Sequence, residues 1–346
     1  MNANISGVGA RPRFINAVLR AVGTVAATVL GAGCAAGGST PAGVGVIPLD
    51  LSGPRPTAEL ALNGAPAVRA IFDTGAAASV VQLSYAEVAK LPHDGAGYAS
   101  GPGGVAIPGF RTHISGRLGA AAFQSKLAVA LDIPLPLPGV EAVISPGVFA
   151  GRLVRFDFKA GEAQVLDRSD PRSPTSPGYD YSGSDDAAHI NRVPSIPMLL
   201  PNGVTVPATV DTGARRGIEL PMAFAGALTL AGPLVPTAPV RLIGIEHPAA
   251  SATLVGDLKM GSITLHNPSV TFVEGVKDGS VGFVVLKSLT LTLVLDPERH
   301  RDWLLPAGGQ GLALTARHSG GFVSSNAPPA NECRLGQPNG PEKRRY

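Results

Sequence analysis

The sequence is short of cysteines, aromatic residues and charges, and each shortage narrows the range of proteins it can represent. Its 346 residues include 2 cysteines and 1 tryptophan, and 15% of them are charged. Two cysteines cannot build a disulfide framework. Because charges are few and many short Val, Ile, Leu and Thr runs are broken by Gly or Pro, the chain is predicted to be mainly β.

Motifs for metal, phosphate and nucleotide sites are missing as well. The seven histidines show no His-x3-His spacing, and no Cys-x2-Cys, Gly-x-Ser-x-Gly, phosphate-loop or dinucleotide pattern occurs. We therefore expect neither a metal nor an organic cofactor. Residues 1–33 hold three arginines and no acidic residue, which leaves 25 basic and 25 acidic residues in the rest. This balance gives no reason to expect a nucleic-acid partner.

The chain does contain the tripeptide Asp-Thr-Gly twice, at Asp73-Thr74-Gly75 and Asp211-Thr212-Gly213. Each copy follows an apolar, strand-like run. Two carboxyl groups brought to one site cannot both ionise cheaply, so they share a proton and titrate as a coupled pair. One of them can then act as a general base on water while the protonated partner polarises a carbonyl group.

The surroundings of the two tripeptides match. Each is preceded by an Asn-Gly pair, beginning at Asn63 and Asn202, which favours a type I′ hairpin turn. Each is followed by an apolar segment that ends in another aspartate, Asp157 or Asp296. The asparagines are 139 residues apart and so are the later aspartates, which predicts an internal repeat.

This arrangement resembles the retropepsin-like and pepsin-like aspartic proteases over residues 55–167 and 188–306. In that family each of two similar β lobes supplies one aspartate, and the active site lies between the lobes. The resemblance therefore implies a mainly β, two-lobed fold in which Asp73 and Asp211 are catalytic. It also implies that the residues beside them support the dyad: Thr74, Gly75, Ala76, Thr212, Gly213 and Ala214.

The two copies differ in one later segment. The C-terminal copy has Val281-Gly282-Phe283 followed by Leu286, as in the family. The N-terminal copy has Ser145-Pro146 where the family has a glycine. We therefore expect the packing beneath Asp73 to differ from the packing beneath Asp211.

A glycine-rich stretch follows the first aspartate and resembles a protease flap that closes over substrate. It contains Gly101, Gly103 and Gly104, and Tyr98 just before it is a candidate substrate contact. Loop glycines without a function would give the same pattern, so both interpretations stay open.

Arg215 and Arg216 directly follow the second Asp-Thr-Gly-Ala. One of them could contact an acidic substrate group or tune Asp211. A solvated pair or a structural ion pair is the alternative.

Two short helices are predicted. Ser84 to Glu87 forms a capping-box pattern that predicts a helix to about Leu91. Pro221 predicts the start of an equivalent helix through about Leu228.

The remaining segments are interpreted as parts outside the lobes. Residues 1–33 resemble a secretory signal, and Cys34 resembles a bacterial lipoprotein acylation site; ordinary cleavage and an uncleaved anchor are the alternatives. Residues 34–54 are interpreted as an envelope tether, 168–187 as an interlobe linker and 307–346 as a disordered tail. This organisation predicts an exported monomer in the periplasm or outer membrane of a bacterium.

The resulting expectation is an endopeptidase that acts on peptides or proteins. The alternatives are a non-catalytic envelope protein that binds peptide or glycan in the same cleft, and a structural scaffold. Ala76 and Ala214 stand where acid-acting pepsin-like enzymes place a hydroxyl that can donate to the carboxylate. Without that donor the pKa values of the dyad are expected to be higher, which favours activity at about pH 5–6.

Replacing Cys34 by serine should release the protein from membranes, because a single acylation site would carry the whole lipid anchor. Membrane fractionation and incorporation of labelled fatty acid would measure the change, with Cys333→Ser as the matched control. If the parent protein carries no label and Cys34→Ser partitions as the parent does, the lipid anchor is disproved.

Overall fold

The computed structural model describes residues 44–100, 106–183, 192–242 and 245–305. All of them belong to one compact unit. The predicted signal segment, Cys34, the glycines at 101, 103 and 104 and the predicted tail lie outside the described residues. Among the described residues the chain is mainly β, as predicted.

The first part of the described chain runs from β1 to β10. Its elements are β1 (Gly45–Pro48), β2 (Thr57–Leu62), β3 (Val68–Phe72), β4 (Ser79–Gln82), α1 (Leu83–Val88), β5 (Ala96–Ser100), β6 (Ala106–Leu118), β7 (Ala121–Leu131), β8 (Val140–Ile144), a 3-10 helix (Pro146–Phe149), β9 (Leu153–Asp157) and β10 (Glu162–Leu166).

The second part runs from β11 to β22. Its elements are β11 (Tyr179–Asp180), β12 (Ser195–Leu199), β13 (Thr205–Asp211), β14 (Ile218–Pro221), a 3-10 helix (Met222–Ala227), β15 (Val235–Leu242), β16 (Ile245–Thr253), β17 (Asp257–Met260), β18 (Ile263–His266), β19 (Ser269–Val273), β20 (Gly279–Gly282), α2 (Phe283–Ser288), β21 (Thr292–Asp296) and β22 (Arg301–Leu305).

A seven-stranded sheet is built from the first part, in the order β2-β3-β8-β4-β7-β6-β5. Strand β2 also pairs with β6, which closes six of these strands into a barrel. Strand β3, which ends just before Asp73, lies parallel to β8, and β8 lies antiparallel to β4. Buried side chains such as Phe72 and Phe149 fill the core, with their ring centroids 6.1 Å apart.

A nine-stranded sheet from the second part repeats this pairing, in the order β15-β16-β19-β14-β20-β13-β12-β17-β18. Strand β13, which ends at Asp211, lies parallel to β20, and β20 lies antiparallel to β14. The strand that leads to each Asp-Thr-Gly is therefore held by equivalent neighbours in both parts.

A third sheet of six strands joins the two parts, in the order β1-β10-β9-β21-β22-β11. At its centre β9 and β21 pair antiparallel, with Phe156 opposite Leu293. Strand β1 belongs to the predicted tether, and β11 belongs to the predicted interlobe linker. Described portions of both segments are therefore strands of this sheet, which their composition did not indicate.

The predicted Asn-Gly hairpins are both present, but their turns differ. Asn63 and Gly64 have φ angles of 48° and 75°, and the amide of Ala65 donates to the carbonyl of Leu62 at 2.8 Å, as in a type I′ turn. In the second hairpin only the glycine of the pair, at φ 84°, has a positive φ angle. The type I′ prediction is therefore wrong for Asn202.

The helix predictions need correction at their boundaries. Helix α1 begins at Leu83 with Gln82 as N-cap and no side-chain cap, so the predicted capping box at Ser84 does not form. It ends at Val88, earlier than predicted, because the chain turns at Lys90, whose φ is 50°.

The proline-initiated helix of the second part is a 3-10 helix of residues 222–227, with Pro221 as its N-cap. Helix α2 was not predicted, because its apolar sequence has no cap signal and resembles a strand. Its formation depends on burying Phe283 and Leu286 in the core.

Asp302, on β22, is a carboxyl group without exposure to solvent. Among the described residues neither of its carboxyl oxygens has a hydrogen-bond partner of good geometry, although the amide of Ser195 lies close enough to favour the ionised form. Burial raises its pKa to about 8, and the charge of Asp180 adds to the effect. Asp302 is therefore protonated at neutral pH.

Asp302→Asn should reduce the dependence of stability on pH. In the unfolded chain Asp302 loses its proton near pH 4, whereas the folded protein retains it to about pH 8. The native state thus binds more protons in this window, so the free energy of unfolding falls as pH rises from 4 to 8. Denaturant unfolding at several pH values should show a shallower fall in the variant than in the parent or in the exposed control Asp132→Asn. An equal slope would contradict this account.

Candidate active site

One Asp-Thr-Gly loop comes from the seven-stranded sheet and the other from the nine-stranded sheet, and the two loops contact each other. The amide of Asp73 donates to the carbonyl of Ile144 at 2.9 Å, which fixes the first loop to β8. Asp211 lies opposite Gly282 in the β13–β20 pair, which fixes the second loop to β20. Each aspartate is therefore anchored by the parallel neighbour of its own strand.

Two buried threonines lock the loops to each other. The hydroxyl of Thr74 accepts from the amide of Thr212 at 3.0 Å and donates to the carbonyl of Val210. The hydroxyl of Thr212 accepts from the amide of Thr74 at 3.0 Å and donates to the carbonyl of Phe72 at 2.7 Å. All four bonds cross between the two parts of the chain.

The glycines of the two loops allow the carboxyl groups to approach. A Cβ atom at Gly75 would overlap the carboxyl group of Asp211, and one at Gly213 would overlap the carboxyl group of Asp73. Each aspartate therefore points at the opposite loop. Any larger residue at either glycine would push the loops apart.

The two carboxyl groups lie within hydrogen-bonding reach of each other. One oxygen of Asp73 accepts from the amide of Gly75 at 2.8 Å, and one oxygen of Asp211 accepts from the amide of Ala214 at 2.8 Å. Burial raises the pKa of both groups, and the charge of Asp211 raises the pKa of Asp73 further. The pair therefore shares a proton over a range of pH in which isolated aspartates would both be ionised.

The residues beneath the two aspartates differ, as expected: Gly217 and Gly282 in the second part correspond to Ser79 and Ser145 in the first. In the second part the amide of Gly282 donates to the carbonyl of Gly217 at 2.8 Å, and a Cβ atom at Gly282 would overlap the carbonyl of Arg216. In the first part the amide of Ser145 donates to the hydroxyl of Ser79 at 3.1 Å. Ser145 also accepts from the amide that follows Pro146, at 3.2 Å, so serine fits this position.

Arg216 is held away from the dyad. Its guanidinium donates to the carbonyl of Ala238 at 2.6 Å and lies 3.8 Å from Glu219. Burial raises the pKa of Glu219 to about 7, and the charge of Asp211 also raises it. Arg216 thus forms a structural ion pair, whereas Arg215 is exposed.

The candidate flap is described in part. Tyr98 lies on β5 opposite Pro108 on β6, and 36% of its side chain is exposed. Strands β5 and β6 pair antiparallel on either side of the glycine-rich residues 101–105, which lie outside the described residues. Strands β15 and β16 form a matching pair in the second part.

A cavity of about 180 Å³ adjoins the first loop. Small and polar side chains from both parts line it, including Thr74, Ala76, Ser145, Tyr181, Arg192 and His300. It lies beside Thr74 of the first loop, but neither Asp73 nor Asp211 is among the residues that line it.

Arg55 is the site residue that the sequence patterns did not indicate. Its Nε donates to the carbonyl of Gly213, in the loop that carries the other aspartate. Its charge lowers the pKa of both Asp73 and Asp211. The only local signal is its position between two prolines, which does not mark a site by itself.

The part of the chain that the structure describes contains neither a cluster of metal-binding side chains nor a helix that could span a membrane. There, no group of three or more His, Cys, Asp or Glu side chains could hold a metal ion. No helix in the same residues has the length and apolar character needed to cross a membrane.

Comparison of the chain with protein-family models gives no match, and comparison with curated proteins gives none either. A functional assignment therefore depends on the geometry of the two loops.

Thr74→Val and Thr212→Val should each destabilise the protein, because each leaves a buried amide and a buried carbonyl without a partner. The expected loss is about 1–3 kcal/mol for each group left unpaired. Thr112→Val is the matched control, since this buried threonine donates only to its neighbour His113. Denaturant unfolding would measure the difference. If both loop variants unfold like the control, the bonds between the loops do not hold the site together.

Proposed function

We propose that this protein is an aspartic endopeptidase that hydrolyses peptide bonds with a water activated by Asp73 and Asp211. The observation that supports it best is the pair of carboxyl groups within hydrogen-bonding reach, each with a raised pKa. A shared proton gives the site an acid and a base at once. A site that only stabilises the fold would gain nothing from two partly buried, mutually repelling carboxyl groups.

The proposed reaction needs no cofactor and no covalent intermediate. The ionised member of the pair takes a proton from the water as the water oxygen attacks the peptide carbonyl. The protonated member donates a hydrogen bond to the carbonyl oxygen, which stabilises the negative charge that develops there. The proton taken from the water then moves to the leaving nitrogen, the C–N bond breaks to release an amine and a carboxylic acid, and the dyad returns to its singly protonated form.

The same proposal includes two retropepsin-like lobes, residues 55–167 and 188–306. The equivalent pairing of β3, β8 and β4 with β13, β20 and β14 supports it. Since one chain supplies both aspartates, we propose a monomer that acts on peptide or protein substrates. Export and a lipid anchor at Cys34 are also part of the proposal, on the basis of the sequence. The raised pKa values of Asp73 and Asp211 favour hydrolysis at weakly acid pH.

Asp73→Asn and Asp211→Asn should each abolish peptide hydrolysis while the fold is retained. Because the two groups act as one unit, each single variant should lose at least about 1,000-fold in kcat, and the double variant should lose little more. Hydrolysis of a mixed peptide library, followed by mass spectrometry, would measure activity. Thermal unfolding would confirm folding, and the exposed Asp278→Asn is the control.

Substantial hydrolysis by either single variant would contradict the proposal. If the parent binds peptides or glycans without cleaving them and the asparagine variants bind equally well, the cleft serves binding instead. If the parent neither cleaves nor binds, a scaffold role is favoured.

A further inference from the structure

Arg55 lies in the short segment between β1 and β2, and its backbone is tied to the first aspartate. Pro54 and Pro56 flank it and restrict the chain on both sides. The carbonyl of Pro56 accepts from the amide of Phe72 at 3.1 Å, directly before Asp73. The backbone at Arg55 is therefore held next to the start of the first loop.

The other end of the side chain reaches the second loop. Its Nε donates to the carbonyl of Gly213, 158 positions away in sequence, and a terminal nitrogen lies 3.5 Å from the carbonyl of Pro136. Gly213 is also the residue whose backbone faces the carboxyl group of Asp73. Arg55 thus bridges the two loops at the point where the carboxyl groups meet.

Among the described residues, four charged side chains interact with the dyad or with one another beside it: Arg55, Arg215, Arg216 and Glu219. Arg55 is half-buried and acts on both aspartates, while burial lowers its own pKa without removing its charge. The positive charge of Arg215 repels that of Arg55. The carboxyl group of Glu219, on β14, interacts with the charge of Asp211, and Arg216 is paired with Glu219. Arg55 is the cation among these that acts directly on both members of the pair.

We propose that Arg55 is a positioning residue of the dyad: its guanidinium holds the second Asp-Thr-Gly loop against the first and supplies the positive charge that both aspartates face. The inference rests on the proposed function, because only an acid–base reaction gives the charge of the pair a role. A dyad with one proton carries one net negative charge. A fixed cation beside it favours this form over the doubly protonated one, so the reactive state persists to lower pH.

The experiment compares the parent with Arg55→Met, Arg55→Lys and the control Arg69→Met. Arg69 lies on β3, four residues before Asp73, but its side chain is 54% exposed and its guanidinium contacts Asp50 at 3.7 Å and the hydroxyl of Thr57 at 3.3 Å, not the dyad. Two properties are measured on the purified protein: the titration of the carboxyl carbons of aspartates labelled with carbon-13, and the pH dependence of peptide hydrolysis. The first does not require activity.

Arg55→Met should raise the apparent pKa values of the dyad by about one unit, which corresponds to roughly tenfold tighter proton binding. The acidic limb of the pH–rate profile should move up by the same amount, while Arg69→Met leaves both unchanged. Arg55→Lys retains the charge but loses the planar Nε–H donor. It should therefore titrate close to the parent and show a lower kcat.

The outcomes separate this inference from the proposed function. If the parent hydrolyses peptides but Arg55→Met titrates like Arg69→Met, the role of Arg55 is overturned and the peptidase stands. If Arg55→Met shifts the titration although the parent hydrolyses nothing, Arg55 has the proposed role and the peptidase assignment fails. If Arg55→Met does not fold, a shift of a full unit in Arg55→Lys would overturn the role of the charge.

Discussion

The hydrogen bonds that cross between the two Asp-Thr-Gly loops are the interaction on which the rest of this structure depends. Thr74 and Thr212 each bind backbone groups of the opposite loop while fully shielded from water. In that environment the bonds are strong and costly to break. They hold Asp73 and Asp211 next to each other in a site where burial raises the pKa of both and the charge of Asp211 raises the pKa of Asp73 further. The sharing of a proton by the two carboxyl groups depends on this proximity.

The threonine bonds require that the two Asp-Thr-Gly loops be held in fixed positions, and the sheets provide this. Each aspartate follows a strand with a parallel neighbour on one side, and the six-stranded sheet joins the two parts through β9 and β21. Because the loops are anchored to separate sheets, the geometry of the dyad depends on how those sheets are held together. Arg55 acts at this point, since the adjacent Pro56 is hydrogen-bonded to Phe72, directly before the first loop, and the Arg55 guanidinium contacts the second loop.

Local features of this fold could be predicted from the sequence, and distant ones could not. The two hairpins and the two aspartates follow from short patterns, because Asn-Gly and Asp-Thr-Gly have conformational preferences of their own. The turn at Asn202 differs because the surrounding hairpin, not the dipeptide, decides its geometry. Helix α2 depends on burying Phe283 and Leu286, and strands β1 and β11 depend on pairing with β10 and β22, which lie far away in the chain. No local pattern contains these partners. The contact of Arg55 with Gly213 is of the same kind.

The most direct measurement of the central claim is a crystal structure with a peptide mimic that carries a statine-type hydroxyl in place of the scissile carbonyl. The account predicts that this hydroxyl lies between Asp73 and Asp211, at about 2.5–3.0 Å from an oxygen of each. It also predicts that both threonine bonds between the loops are retained. A mimic bound elsewhere, or carboxyl groups too far apart to share the hydroxyl, would contradict it.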